Sequence, residues 1–436
     1  MKKLFLMILV LGPAMAFSQG LLDRLKKKVK SKAEQRVEKN VDKTLDKGFD
    51  KVEGAAKPGS KGPATKEVPA ASQQAAATET PVAAVETGLK SYSRFDFVPG
   101  EEIVYSENFE QEAIGELPAG WNTSGNGEIV SLNNFPGKWM RLYQNTSYLT
   151  SNAKEFGENF TVEFDVIMQL KWRDHFYPYF SLALCSSNGE PTTDNAFLKE
   201  FKKHAAIETI IYPAESNYTK IRTSSFNDGK PYYKSDDKNF GYLEKFYGKP
   251  VHVAIQVQKE RFRMWINQEK VCDFPKGVPQ GYVMNQLQFQ IHSSSYKEDQ
   301  YGYYIGNLKI AKGIPDTRHK LIEEGKFSTT GILFDVNSDV IKPESYGVIK
   351  GIATVLKENA DVNVKILGHT DSDGNDAANL TLSQKRAAAV VKLLSEEFGI
   401  EVSRLQSDGK GETQPVGDNN TKEGKASNRR VEFIKQ

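Results

Sequence analysis

The chain has 436 residues, 39% of them hydrophobic and 26% charged, with a formal net charge of +2. That length exceeds one ordinary domain and points to two or three. A balance so close to neutral excludes the protein-wide basic footprint of a nucleic-acid-binding chain, so no nucleic-acid partner is expected.

Residues 1–18 read as a cleaved signal peptide: Met1-Lys2-Lys3, a short apolar run from Leu4, then small residues Ala16 and Ser18 before cleavage at Gln19. The run is too short to span a bilayer and is broken by Gly12-Pro13. No Cys follows it, which removes a lipidated anchor. Export places Cys185 and Cys272 where disulfides persist, either as one bridge or as two separate thiols.

Residues 19–54 form a predicted amphipathic helix. Leu22, Leu25, Val29, Ala33, Val37, Val41, Leu45, Phe49 and Val52 recur every three or four positions among alternating charges. Self-association, contact with the outer-membrane surface through the basic 24–32 end, and a solvated spacer all fit this pattern. Residues 55–94 are rich in Ala, Pro, Thr, Gly, Ser and Gln and nearly free of large apolar residues, which predicts a disordered linker.

From 95 to 314 short alternating runs follow one another, such as Asn159-Phe160-Thr161-Val162-Glu163-Phe164-Asp165-Val166 and Val251-His252-Val253-Ala254-Ile255-Gln256-Val257. This texture predicts an all-β sandwich of antiparallel strands, each with one face in solvent. Glu163 and Asp165 alternate as the acids of a retaining glycanase would, but Met168 stands where a third acid belongs. They are expected to lie on the solvent face of an ordinary strand. Trp172, Phe176, Tyr177, Tyr179 and Phe180 form a cluster for which a sugar-stacking platform and core packing are both open. His175, His204 and His252 lack metal-ligand spacing, and no cofactor motif appears.

The run order resembles the laminin-G or concanavalin-like jelly rolls. The residues that carry the likeness are Tyr105-Ser106-Glu107-Asn108-Phe109-Glu110 near the start, Arg261 to Asn267 with Glu269-Lys270-Val271, and the closing Tyr304 to Ile310. The resemblance implies a binding or structural module, with a glycan as one partner class.

After a charged connector at 315–327, residues 328–436 alternate predicted strands at 331–336, 362–368 and 429–434 with helices at 343–359 and 382–398. The pattern predicts a compact α/β sandwich. Val348, Ile349, Ile352, Val355 and Leu356 face inward on one helix, and Ala387, Val390, Val391 and Leu394 on the other. Just past the second strand come Thr370 and Asp371, while Asn379 and Arg386, seven apart, share one helix face. An acid, a carboxamide and a guanidinium suit a small zwitterion: Arg takes a carboxylate through its planar fork, and Asp accepts from an ammonium. Asp371-Ser372-Asp373-Gly374-Asn375 superficially follows a calcium loop, but Leu382 occupies the closing Glu position, so no metal is expected. His369 reads as a packed strand-end residue.

Phe334-Asp335-Val336-Asn337, Gly368-His369-Thr370-Asp371, Asn379, Leu382-Ser383, Arg386-Ala387, Gly409-Lys410-Gly411 with Pro415, and Asn428-Arg429-Arg430 resemble the OmpA C-terminal-like family of peptidoglycan-binding domains. The resemblance implies a partner, the diaminopimelate of the peptidoglycan stem. It makes Asp371 and Arg386 the central ligand pair, supported by Asn337, Thr370, Asn379 and Arg429, the last either touching the ligand or buttressing Asp371. It further implies a non-catalytic protein of the periplasm and outer membrane. Two alternatives follow from the other segments: a glycan hydrolase with a catalytic jelly roll, and a stator-like membrane protein if residues 1–18 stay attached.

Overall fold

The structure, a computed structural model, describes residues 95–436 apart from 153 and 174, and these belong to one compact unit. The expected signal peptide, amphipathic helix and linker at 1–18, 19–54 and 55–94 lie outside the described residues.

Two antiparallel sheets face each other across the main core. The larger runs Glu269–Phe274, Arg261–Ile266, Pro250–Gln258, Asn159–Leu170, Tyr301–Lys312, Phe135–Leu142, Gly127–Leu132, with Glu102–Glu107 also paired to Tyr301–Lys312. The smaller runs Lys230–Lys234, Lys220–Asn227, Ala205–Tyr212, Phe180–Cys185, Gln286–Ile291, with Lys238–Asn239 beside its second strand. Strand periodicity sends Phe160, Val162, Phe164 and Val166 inward from one sheet to meet Phe180, Leu182, Leu184, Leu287 and Phe289 of the other. The Phe164 and Phe289 rings pack edge-on at 5.2 Å. On the outside of the smaller sheet, helix α1 (Asn195–Glu200) brings Phe197 and Leu198, with the following Phe201, onto Ala183, Cys185 and Ala206. Of the aromatic cluster, Tyr177 and Phe180 are core, Tyr179 packs on Tyr212, and Trp172 and Phe176 are exposed.

The outer face of the larger sheet departs from expectation. Glu163 and Asp165 are buried, not solvated. Glu163 pairs with Lys309 at 2.6 Å, while Asp165 pairs with His252 Nδ1 at 2.8 Å and accepts from Asn307 Nδ2 at 2.7 Å. Burial works against the Asp165 charge, but the His252 hydrogen bond outweighs it and its pKa falls below the usual value. His252 is raised in turn: burial opposes its charge, and Asp165 prevails. The reason for the burial is a cover. Phe95 and Phe97 pack on Ala254 and Trp265 of this face, and helix α2 (Tyr346–Glu358) lies over that segment. An added Cβ on Gly347 would stand 2.4 Å from the Phe97 carbonyl oxygen, so only glycine permits this approach.

The C-terminal portion has a four-stranded sheet in the order Lys326–Thr329, Val431–Lys435, Val364–His369, Leu405–Gly411, with only the last pair parallel. Helices α2 and α3 (Asp376–Glu396) cover it: Val348, Ile349, Ile352 and Leu356 from one, Ala387, Val390 and Leu394 from the other, against Val364, Ile366 and Phe433. Gly368 lets α3 approach, since a Cβ there would lie 2.2 Å from the Ser383 carbonyl oxygen. The first strand is Lys326–Thr329, partly within the predicted connector, and 331–336 is not a strand. Its backbone groups are satisfied elsewhere: Leu333 N–H donates to Ser345 Oγ at 2.8 Å, and Leu333 O and Val340 O accept from Lys342 and Asp335. Helix α3 starts at Asp376 and not at the predicted 382, because Asn375 Oδ1 caps it, accepting from the Ala377 and Ala378 N–H groups. A short helix, α4 (Lys422–Asn428), precedes the last strand.

Cys185 and Cys272 are separate thiols. No helix among the described residues is long and apolar enough to cross a membrane.

Candidate functional site

The parallel pair Val364–His369 and Leu405–Gly411 ends beside the N-terminal half of α3, and the chain turns there into the 370–375 loop. Thr370 N–H donates to Gly411 O at 2.9 Å, which fixes the turn that presents Asp371. Asp371 is buried, with Oδ1 accepting from the Asp373 N–H at 3.2 Å. Its other oxygen is taken by the Arg429 guanidinium, which is half-exposed at the end of α4.

Arg386 reaches the same place from α3, but its hydrogen bonds go elsewhere. Nε donates to Ser338 O at 2.9 Å and Nη2 to Asp335 O at 3.4 Å, and the guanidinium sits over the Phe334 ring at 4.9 Å. Burial lowers its pKa, Arg429 adds to that and Asp371 opposes it, so the three charges share one site. Asp371 and Arg386 do not pair with each other; Arg429 buttresses Asp371, and among the described residues Nη1 of Arg386 makes no hydrogen bond.

Asn379 joins Asp371 through the loop backbone. Its Nδ2 donates to Asp373 O at 3.0 Å and to Glu412 Oε2 at 2.6 Å, and lies 3.4 Å from Asp371 O. Thr370 is buried, and its hydroxyl finds no partner among the described residues. Asn337 is exposed and left-handed at φ 53°, a conformation Asn tolerates, and it shapes the loop whose carbonyls hold Arg386. Among the described residues its side chain makes no hydrogen bond to the cluster. Of the six residues expected, Asp371, Arg429, Thr370 and Asn379 cluster closely, Arg386 flanks them, and Asn337 lies in the loop whose Asp335 and Ser338 carbonyls hold Arg386.

Three contributors went unseen in the sequence. Glu412 holds Asn379, Lys425 pairs with Asp373 at 2.6 Å, and Phe334 carries Arg386. A signal existed for Lys425: it stands four before Arg429, following Thr421, whose hydroxyl caps α4 by accepting from Gly424 N–H. The would-be calcium loop is spent otherwise, with Asp373 on Lys425 and Asn375 as the α3 cap. Among the described residues no group of three or more metal-ligating side chains converges. Below the site, His369 is buried at the strand end.

The OmpA family profile matches residues 333–429, the span containing every one of these groups. Residues 333–429 form an OmpA family domain. Outer membrane porin F of Pseudomonas fluorescens is 46% identical over 101 residues, which is 23% of this chain and 31% of that protein. Outer membrane protein A of Bordetella avium is 37% identical over 100 residues, 23% of this chain and 51% of that protein. The chain thus spans less than two thirds of the length of either relative. The solved peptidoglycan-associated lipoprotein of Burkholderia pseudomallei is 29% identical, aligned over 25% of this chain and 89% of that one with a TM-score of 0.23. The OmpA family domain therefore accounts for the site but not for the two facing sheets before it.

Proposed function

We propose that this protein is a non-catalytic component of the cell envelope that binds peptidoglycan non-covalently through the diaminopimelate of the stem peptide. The observation that carries this reading is the Asp371–Arg429 pair beside Arg386, whose Nη1 makes no hydrogen bond among the described residues. The ligand's ammonium would share Asp371 with Arg429, and its carboxylate would take the free edge of Arg386. Thr370, with a buried and unpartnered hydroxyl, supplies one further polar contact, and Asn379 keeps the loop in place. In this reading residues 1–18 direct export to the periplasm, and 95–314 form a jelly-roll module displayed at the wall.

The reading is tested by retention on purified sacculi. The wild-type chain is expected to sediment with diaminopimelate-containing sacculi and to be released by a soluble diaminopimelate muropeptide. It should ignore sacculi that carry lysine at that position. An Asp371→Ala, Arg386→Ala double variant retained as well as the wild type overturns the site.

A further inference from the structure

Helix α4 lies between the site and the sandwich. Toward the site, Lys425 pairs with Asp373, and Arg429 at its end pairs with Asp371. Toward the sandwich, Ala426 packs on Ile103 and Ala311, and Glu423 Oε1 accepts from the Ser106 N–H at 3.2 Å. Lys422 reaches across to two sandwich carboxylates, Glu107 and Glu112, at 2.6 Å each.

Those carboxylates are themselves fixed. Glu107 is buried and its other oxygen accepts from Phe109 N–H at 2.8 Å; that of Glu112 accepts from Ala119 N–H at 3.1 Å. Lys138 Nζ donates to the carbonyls of Glu110 and Glu112 at 2.8 and 2.6 Å, closing the turn. At seven residues α4 is far too short to hold its own shape, so its place is set by what it packs against. On one side that is the sandwich. On the other it is the loop with the two acids.

We propose that the sandwich positions the zwitterion site: the Glu107 and Glu112 clamp on Lys422 seats α4, and α4 holds Lys425 and Arg429 against the Asp371–Asp373 loop. Lys422, Glu107 and Glu112 are positioning residues, remote from the ligand. The sandwich then belongs to the wall-binding unit and is more than its cargo. The inference rests on the wall-binding reading above, and coupling is reciprocal, so ligand must also act back on the clamp.

The test titrates the full chain with a soluble diaminopimelate muropeptide by calorimetry. A Glu107→Gln, Glu112→Gln variant is expected to bind about fivefold more weakly, the low end of coupling between sites. Glu112→Gln alone should fall between it and the wild type, and Lys422→Arg, which keeps the charge, within twofold of the wild type. In the wild type, muropeptide should slow hydrogen exchange at the Ser106 and Phe109 amides, which a purely structural clamp would not show. Binding within twofold by the folded double variant, with no exchange response, overturns the proposal. Should that variant fail to fold, Glu112→Gln and the exchange response decide on the same criteria. Asp371→Asn separates the two readings: if it binds like the wild type, the site assignment fails, whereas its loss alongside a neutral clamp variant removes only the coupling.

Discussion

Two glycines of one helix should respond to the same substitution with opposite sign. Gly347 and Gly351 both lie in α2, where alanine exceeds glycine in helix preference by about 1 kcal/mol. Gly351 has no neighbour within 4 Å of an added Cβ, so Gly351→Ala should stabilise the protein by roughly 0.5–1 kcal/mol. At Gly347 the added Cβ would meet the Phe97 carbonyl oxygen at 2.4 Å and the Phe95 carbonyl oxygen at 3.0 Å. Those are backbone atoms, and α2 cannot retreat because Val348 and Ile349 are locked in the core behind it. Overpacking of this kind costs about 1–3 kcal/mol. Full release of the segment would surrender the burial of Phe95 and Phe97, about 1.5–3 kcal/mol for each ring. Less the helix gain, Gly347→Ala should destabilise by about 1 kcal/mol. Urea unfolding followed by tryptophan emission reads both variants. Trp265 reports directly, since it packs edge-on against Phe97 at 5.4 Å and donates to Asp96 at 3.1 Å. Equal stabilisation by both substitutions would refute the seam between α2 and the 95–97 segment.

Two further outcomes follow from buried charge and buried sulfur. Glu432 is buried between Arg430 at 2.8 Å and Lys326 at 2.9 Å; burial pushes its pKa up, but His369 at 3.6 Å and the two cations outweigh this and hold it far below the carboxylate range. A depressed carboxylate contributes fully above its unfolded value and loses that contribution as pH falls through its folded value. Glu432→Gln should therefore cost about 3 kcal/mol near neutrality by leaving Arg430 buried and unpaired, and the gap to wild type should narrow below about pH 4.5 in denaturant titrations. Burial also pushes the Cys185 thiol up and raises Cys272 to about 12, so a thiol-specific chromogenic disulfide at pH 8 should label neither in the native protein and both in urea. Rapid native labelling would contradict the packing around them.

Much of the C-terminal domain was legible because its signals are local. The 3.6-residue stripe places Val348, Ile349, Ile352 and Leu356 in the core without reference to anything distant, and the alternation at 364–369 does the same for its strand. Segment 331–336 misled because an apolar run reads alike whether its backbone pairs with a sheet or with the loop at 338–345. The site was legible as residue types at a turn, but the role of Arg429 stayed open. Whether it buttresses Asp371 depends on where α4 sits, and α4 has too little apolar content to announce itself. Glu163 and Asp165 are the sharpest case. Alternation correctly puts them opposite the sandwich core, yet burial there comes from Phe95, Phe97 and α2, none of which the strand's own sequence encodes.

That covered face alters how the module must work. A sandwich joined by a loose connector would hang free of the OmpA family domain, and its outer strand faces would carry solvated charge. Here the outer face instead carries a sealed set, Glu163 with Lys309 and Asp165 with His252 and Asn307, with Lys342 and Glu344 from the far side of the seam adding to the electrostatics. Buried pairs of this kind contribute little net stability, but separating the surfaces around them is costly, because each charge would lose the partners that offset its burial. Parting the seam therefore costs more than the pairs contribute, which favours the register in which every charge keeps its partner. Together with Lys422 on Glu107 and Glu112, the seam grips the OmpA family domain at two places, the α2 face and α4. A domain gripped at two places does not swivel. Under the wall-binding reading, engagement of Asp371 would fix the orientation of the sandwich as well as its address.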